Sequence, residues 1–181
     1  MKKILIAFAL LFFIKAEAQV TKVNLQASGL TCSMCSNAIN KALKSLDFVE
    51  NVKADVSTSS FEISFKSGST VNFDLLKKKV EDAGFFVASM VVILNVNQVE
   101  VSNDAHVDIL GTMYHFLNTE KKQLNGEVNF KILDKGFVSA KEFKKNSKLT
   151  SMSCYQTGYM GACCKDKKSK PGTRIYHVTI S

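Results

Sequence analysis

Residues 23–35 read VNLQASGLTCSMC, and a change of hydrophobic period inside this stretch decides the fold around it. Residues 23–27 alternate apolar and polar side chains, which predicts a half-buried strand. From Cys35 to Leu46 the apolar residues recur at spacings of three and four, which is typical of one face of a helix. The two thiols, Cys32 and Cys35, therefore lie where a strand passes into a helix.

The same alternation of periods continues outward to residue 90. Residues 52–56 and 61–65 alternate as strands, residues 73–83 carry a second helical stripe that Gly84 ends, and residues 86–90 form a last strand. The order strand, helix, strand, strand, helix, strand predicts a ferredoxin-like βαββαβ domain, of α+β class, with two helices on one face of an antiparallel sheet.

The Cys32 and Cys35 pair carries the clearest chemistry in the chain. Two thiols separated by two residues can close on one ion, and a soft cation such as Cu(I) prefers thiolate to oxygen or imidazole. Cys35 falls in the first helical turn, where backbone N–H groups and the helix dipole favour a thiolate. A structural zinc site needs four ligands, whereas two ligands in a loop leave room for a partner's thiol to enter.

The stretch from Gly29 to Cys35 resembles the metal-binding motif of the heavy-metal-associated domain family, Gly-Met-Thr-Cys-x-x-Cys. The family includes copper chaperones, amino-terminal domains of copper ATPases and the periplasmic mercury-binding protein. The resemblance covers residues 20–90 and departs from the motif at Leu30, which is close in volume to the family's Met. It implies a metal-carrying role for Cys32 and Cys35, and it places Phe85 beside the metal loop.

Thr31 bears on the choice of metal. Family members that favour zinc or cadmium commonly carry an acid at this position, so Thr31 favours Cu(I), with Hg(II) or Ag(I) as chemically similar occupants. Met34 is a weaker candidate for a third soft ligand. Two alternatives stay open, a mercury-binding carrier and a thiol–disulfide redox protein, although redox proteins usually carry aromatic and proline residues near the motif. This chain has no Trp and its one proline is Pro171.

Residues 1–18 resemble a secretory signal peptide. Lys2 and Lys3 precede a short apolar run, and residues 16–18 give the small-x-small pattern of a cleavage site. The run of about eleven apolar residues is shorter than the roughly 18 needed to span a bilayer. We therefore expect export, to the periplasm in the first instance or else by secretion, and no transmembrane segment after cleavage.

Residues 91–181 are predicted to form a separate, small β-rich domain of mixed or barrel-like form. Strands are expected at residues 91–96, 106–110, 128–133 and 175–180, and a short helix at 140–148. Three cysteines and two methionines are concentrated in residues 152–164. This segment predicts either a second soft-metal site or a disulfide from Cys154 to one of the adjacent cysteines, with the disulfide slightly favoured. The candidate ligands of the second site are Cys154, Met160, Cys163 and Cys164. The scattered histidines, His106, His115 and His177, are interpreted as packed or surface residues.

The charge distribution and the motifs of the chain limit the classes of function and partner that we expect. The formal charge is +8, and its excess lies mainly in a basic cluster in the second half, which is interpreted as a solvated loop. The cluster consists of Lys165, Lys167, Lys168, Lys170 and Arg174. No motif of hydrolytic or phosphoryl-transfer chemistry is present, so the chain is predicted not to be an enzyme. The expected partners are a metal ion and a metal-donating or metal-accepting protein outside the cytosol, not nucleic acid.

Overall fold

A computed structural model describes residues 19–30, 33–164 and 170–181 of the chain. The eight strands of this part form one continuous sheet with the order β2-β3-β1-β4-β7-β8-β6-β5. The elements, in chain order, are β1 (Gln19–Ser28), α1 (Ser33–Lys44), β2 (Val49–Asp55), β3 (Ser60–Phe65), α2 (Phe73–Asp82), β4 (Phe86–Val101), β5 (Ala105–Ile109), β6 (Thr112–Phe116), β7 (Lys122–Ile132), α3 (Ala140–Asn146), α4 (Cys154–Thr157) and β8 (Ile175–Ile180).

The βαββαβ order predicted for the first half is confirmed. β1 pairs antiparallel with both β3 and β4, and β2 pairs with β3 at the edge. The alternating residues of β1 and β3 bury one face of each strand, so the period-two pattern is converted directly into a core-facing surface. This arrangement is the ferredoxin-like fold expected from the sequence.

Helices α1 and α2 cover the sheet with the stripes that their spacing predicted. Ile39 and Leu43 of α1 are fully buried, as are Phe73 and Val80 of α2. The side chain of Asn72 accepts a hydrogen bond from the Leu75 amide and so caps the start of α2. Packing on the sheet therefore fixes both helices, and α1 begins at Ser33, between the two cysteines of the predicted thiol pair.

β4 connects the two halves of the chain. Its 16 residues pair with β1 over the first part and with β7 over most of their length. The boundary predicted between residues 90 and 91 falls within this strand, so the strand expected at 91–96 is the continuation of the strand expected at 86–90. That residues 19–90 and 91–181 behave as separate domains stays a prediction.

The strands of the second half extend the same open sheet, so the barrel-like alternative is wrong. β8 pairs antiparallel with β7 and parallel with β6, and β5 forms the far edge. β6 was not predicted, because four of its five residues are buried and it lacks the alternation of a half-buried strand. The short α4 was also missed.

Arg174 corrects the interpretation of the basic cluster. Its guanidinium bonds to Asp74 of α2, with Nε–Oδ2 and Nη2–Oδ1 distances of 2.8 and 3.2 Å, and its Nη1 lies 3.4 Å from Asp134 Oδ2. The charge of Arg174 is thus paired with one carboxylate from each half of the chain. Residues 165–169 lie outside the described residues.

Within the described ranges, none of the helices has both the length and the apolar character needed to cross a membrane. The predicted signal peptide, residues 1–18, lies outside them.

Candidate metal centres

The loop between β1 and α1 carries the predicted thiol pair. Cys35 is the third residue of α1 and its side chain is half-buried. Thr31 and Cys32 lie outside the described residues, so the geometry of the pair is not described, and the assignment of both cysteines as ligands stays a prediction. Gly29 begins the loop with a φ of 84°, a left-handed conformation that glycine adopts without strain.

The surroundings of this loop follow the expectations drawn from the family resemblance. Leu30 and Phe85 are partly buried and pack against the main core. A Cβ atom at Gly29 would lie 3.9 Å from Cδ1 of Phe85, so the Phe85 ring borders the loop. Met34, in contrast, is 82% exposed, which places it on the outer side of α1.

The cysteine-rich segment of the second half is held against the start of β8. The Met160 amide donates to the Thr173 carbonyl at 2.8 Å, and the Ile175 amide donates to the Gly158 carbonyl at 2.9 Å. Gly158 ends α4 with a φ of 74° and so turns the chain back toward Cys163. These bonds place Cys154 on α4 in the same neighbourhood as the two adjacent cysteines.

Cys154, Cys163 and Cys164 are thiols in this structure, and their sulfur atoms all lie within 4.8 Å of one another. The Sγ atoms of Cys163 and Cys164 are 3.6 Å apart. Ser153 Oγ donates to Cys163 Sγ at 3.3 Å, and this hydrogen bond lowers the pKa of Cys163 to about 7. Burial has the opposite effect on Cys154 and raises the pKa of its thiol.

Three histidines lie side by side on the sheet above this segment. His106 of β5 is the register partner of His115 of β6, and His115 is the register partner of His177 of β8. Residues directly opposite one another on paired strands share a face, so the three side chains form one row. The ring centroids are 4.3 Å apart for His106 and His115 and 5.0 Å apart for His115 and His177.

Cys154 joins the histidine row to the cysteine segment. Its Sγ lies 3.8 Å from His106 Nε2 and 3.8 Å from His115 Nδ1, and these three ligand atoms lie within 4.8 Å of one another. His115 is fully buried, and burial, together with His177 and His106, lowers its pKa to about 3. His115 and His177 are packed in the interior, as interpreted from the sequence, but the proximity of His106 and His115 to Cys154 was not predicted.

Of the four ligands predicted for the second site, Cys154, Cys163 and Cys164 come together. Met160 is buried in a small apolar cluster with Met113, Cys154 and Ile175. The sequence analysis missed the histidine row because it depends on the register of the β5–β6 hairpin and on the pairing of β6 with β8, which joins residues far apart in the chain. The sequence did place each histidine in a strand-like segment, but it did not indicate which residues of neighbouring strands lie opposite one another.

Comparison with known proteins assigns the first half of the chain to a family. The family description "Heavy-metal-associated domain" matches residues 24–86. The chain is 34% identical over 86 residues to the mercuric transport protein periplasmic component of Pseudomonas fluorescens, covering 47% of this chain and 93% of that protein. It is 34% identical over 62 residues to a probable copper-exporting P-type ATPase of Archaeoglobus fulgidus, covering 34% of this chain and 8% of the ATPase.

Among solved structures, the crystal structure of oxidized MerP from Ralstonia metallidurans CH34 is 28% identical to the chain. It has a TM-score of 0.35 and covers 39% of this chain and 94% of its own. The βαββαβ order, the position of Cys35 in the first turn of α1 and the identity to a relative matched over nearly its whole length agree with one another. The chain belongs to the heavy-metal-associated domain family, and residues 24–86 form that domain.

Proposed function

We propose that this protein is an exported carrier of a soft metal ion, with Cu(I) as its first choice, and that Cys32 and Cys35 bind the ion as thiolates. The observation that supports the proposal most is the position of Cys35 in the first turn of α1, directly after the loop that carries the family motif. Thiolate ligands select soft cations, and Thr31 adds no hard carboxylate oxygen.

The surface around the loop suits transfer to another protein. Ser28, the last residue of β1, is the register partner of Phe86, so Phe86 lies at the same end of the sheet as the loop. Phe86 is 69% exposed and Met34 is 82% exposed. Exposed large apolar side chains near a site favour contact with a partner, which would bring its own thiols to the ion. The partner is a metal-donating or metal-accepting protein outside the cytosol.

The test is the stoichiometry of Cu(I) binding to reduced protein in competition with a chromophoric Cu(I) chelator. Replacing Cys32 and Cys35 together with serine should remove one tightly bound ion. The matched control replaces Cys154, Cys163 and Cys164 with serine, and it should keep the ion of the loop. Unchanged binding in the Cys32/Cys35 variant would refute the assignment of this pair.

A mercury carrier is the second candidate, supported by the 34% identity to a mercuric transport component matched over 93% of its length. Hg(II) is also a soft, thiophilic cation, so the same thiol pair would bind it. Expression in response to copper or to mercury salts, measured on the native gene, distinguishes the two roles. A thiol–disulfide redox role predicts instead that the purified protein reduces a disulfide substrate catalytically.

The proposal of export rests on residues 1–18, in which Lys2 and Lys3 precede a short apolar run and a small-x-small pattern at residues 16–18. An exported protein would acquire its ion in the periplasm, where free thiols are prone to oxidation and metal binding protects them.

A further inference from the structure

We propose that the second half of the chain contains another metal site, which binds one closed-shell d10 cation, Cu(I) or Zn(II), through imidazole nitrogen and thiolate sulfur together. The site goes beyond the family's thiol pair and uses residues that lie outside the heavy-metal-associated domain. Its ligands come from His106, His115, Cys154, Cys163 and Cys164.

The sheet brings the nitrogen ligands together. β5, β6 and β8 are neighbours, and their register aligns His106 with His115 and His115 with His177. Met113 and Ile175 are also register partners and lie two residues before His115 and His177, so they share the face of the histidine row. Both pack with Cys154 in one buried cluster. The cysteine segment therefore lies against the face that carries the histidines.

The distances fit a tetrahedral ion. Ligand atoms bound to one such ion at bond lengths of about 2.0 to 2.3 Å lie about 3.3 to 3.8 Å from one another. Cys154 Sγ is 3.8 Å from both His106 Nε2 and His115 Nδ1. Cys163 Sγ and Cys164 Sγ are 3.6 Å apart, and both lie within 4.8 Å of Cys154 Sγ. Cys163 and Cys164 form a separate group with Cys154, so a four-ligand set is completed when one of these two side chains rotates toward the imidazoles as the ion binds.

His115 is oriented as a metal ligand. Asp104 Oδ1 lies 3.2 Å from His115 Nε2, while the other ring nitrogen, Nδ1, faces Cys154 Sγ. A carboxylate on the remote nitrogen fixes the tautomer that leaves a lone pair on the nitrogen facing the metal, an arrangement common around protein-bound metals. Asp104 is thus a positioning residue, since it acts on the ion through His115.

A second observation comes from His177. Its ring nitrogens belong to neither group of neighbouring ligand atoms, that of Cys154 with the histidines or that of Cys154 with the other cysteines. Its Nδ1 is 2.6 Å from Asp134 Oδ1, and its buried Nε2 has no hydrogen-bond partner among the described residues. A buried polar atom without a hydrogen-bond partner destabilises the fold, because it has lost the hydrogen bonds that water would supply. Three imidazoles and three thiols lie side by side here, fully or partly buried, which is unfavourable in an apolar core but suits a coordination environment.

The site's independence from the thiol pair allows a clean experiment. The Cys32→Ser, Cys35→Ser double variant, reduced and anaerobic, should bind one equivalent of Cu(I) or of Zn(II), each offered alone. X-ray absorption at the metal edge should show nitrogen scatterers at about 2.0 Å and sulfur scatterers at about 2.3 Å together. A direct competition between Cu(I) and Zn(II) then identifies the ion that the site prefers.

Single substitutions are then made in the variant that lacks the thiol pair. His106 is only half-buried, so His106→Gln should fold, and it should weaken binding by more than the roughly 10–100-fold that the loss of an outer partner costs. Asp104→Asn should weaken it by about 10–100-fold, with the same scatterers around the ion. Met160→Leu removes a thioether, keeps the volume and should bind as tightly as its parent.

Three results would overturn the proposal. The first is a double variant with three reduced thiols that binds neither ion. The second is an absorption spectrum with sulfur scatterers alone, or full affinity in His106→Gln. The third is a mapped disulfide involving Cys154 in metal-loaded protein. Because Cys32 and Cys35 are absent from this background, failure here leaves the thiol-pair assignment standing, and the reverse also holds.

Discussion

Arg174 links the two halves of the chain, and removing its guanidinium tests whether they unfold together. The side chain forms two bonds with the Asp74 carboxylate, of 2.8 and 3.2 Å, and lies over the Tyr176 ring at 4.2 Å from the centroid. Burial alone would raise the pKa of Asp74, but the hydrogen bonds and the charge of Arg174 outweigh it and lower that pKa. Arg174→Met keeps most of the apolar stem and removes every charged contact.

The expected loss of unfolding free energy depends on how exposed the Arg174 and Asp74 side chains are. Breaking a buried ion pair by removing one partner costs about 3 to 5 kcal/mol. The side chains of Arg174 and Asp74 are 23% and 37% exposed, which points to the low end of that range, about 3 kcal/mol, for Arg174→Met. For Asp74→Asn we expect about 1.5 kcal/mol, because Arg174 keeps Asp134 as a partner. The double variant should cost about 1 to 2 kcal/mol less than the sum of the two.

The assay uses the distribution of probes along the chain. All four tyrosines, at 114, 155, 159 and 176, lie in the second half and no Trp is present, so intrinsic fluorescence reports that half alone. Helices α1 and α2 of the first half are the two longest of the described helices, so they contribute most of the helical signal in far-UV circular dichroism. Urea unfolding followed by both signals should give one coincident transition. Additive effects in the double variant, or two separate transitions, would refute the coupling.

The other predictions concern the metal, a buried hydroxyl and the site of cleavage. With Cys154, Cys163 and Cys164 replaced by serine, the protein should bind zinc far more weakly than Cu(I) in competition, and Thr31→Asp in that background should raise zinc affinity by adding an oxygen ligand. Equal affinities for the two ions in that background would contradict the choice of copper. Tyr155→Phe should destabilise the protein by about 1 to 2 kcal/mol in urea, because its hydroxyl donates to the buried Leu133 carbonyl at 3.0 Å. Tyr159→Phe is the matched control: this ring is 52% exposed, and a cost equal to that of Tyr155→Phe would argue against the hydrogen bond as the cause. Intact-mass analysis of protein recovered after export should show Gln19 as its first residue, and a retained leader would argue against cleavage after Ala18.

The first half could be predicted because its pattern is local. Residues 61–65 alternate, and in the structure Phe61 and Ile63 are fully buried on one face of β3. The predicted helix at 73–83 differs from α2 by one residue at its end. In each case one face contacts the core and the other contacts water, so period alone distinguishes strand from helix.

The second half was predicted only in part. The strands predicted at 106–110 and 175–180 and the helix predicted at 140–148 correspond to β5, β8 and α3, but the determinants of the other elements are not local. β6 is buried at four of five positions, so its sequence has no alternation to reveal a strand. The histidine row requires the pairing of β6 with β8, and these strands are separated by about sixty residues of chain. A soft-ligand cluster could be found by counting cysteines, but its imidazole neighbours became evident only with the register of the sheet.

The most direct test of the central assignment is an amide NMR titration of reduced protein with Cu(I). At saturation, the amide signals of Gly29, Leu30 and the start of α1, residues 33–36, should shift or change exchange regime. The same signals should stay unchanged in the Cys32→Ser, Cys35→Ser variant. Wild-type loop signals that remain unchanged at saturating Cu(I) would contradict the account, whatever occurs in the second half of the chain.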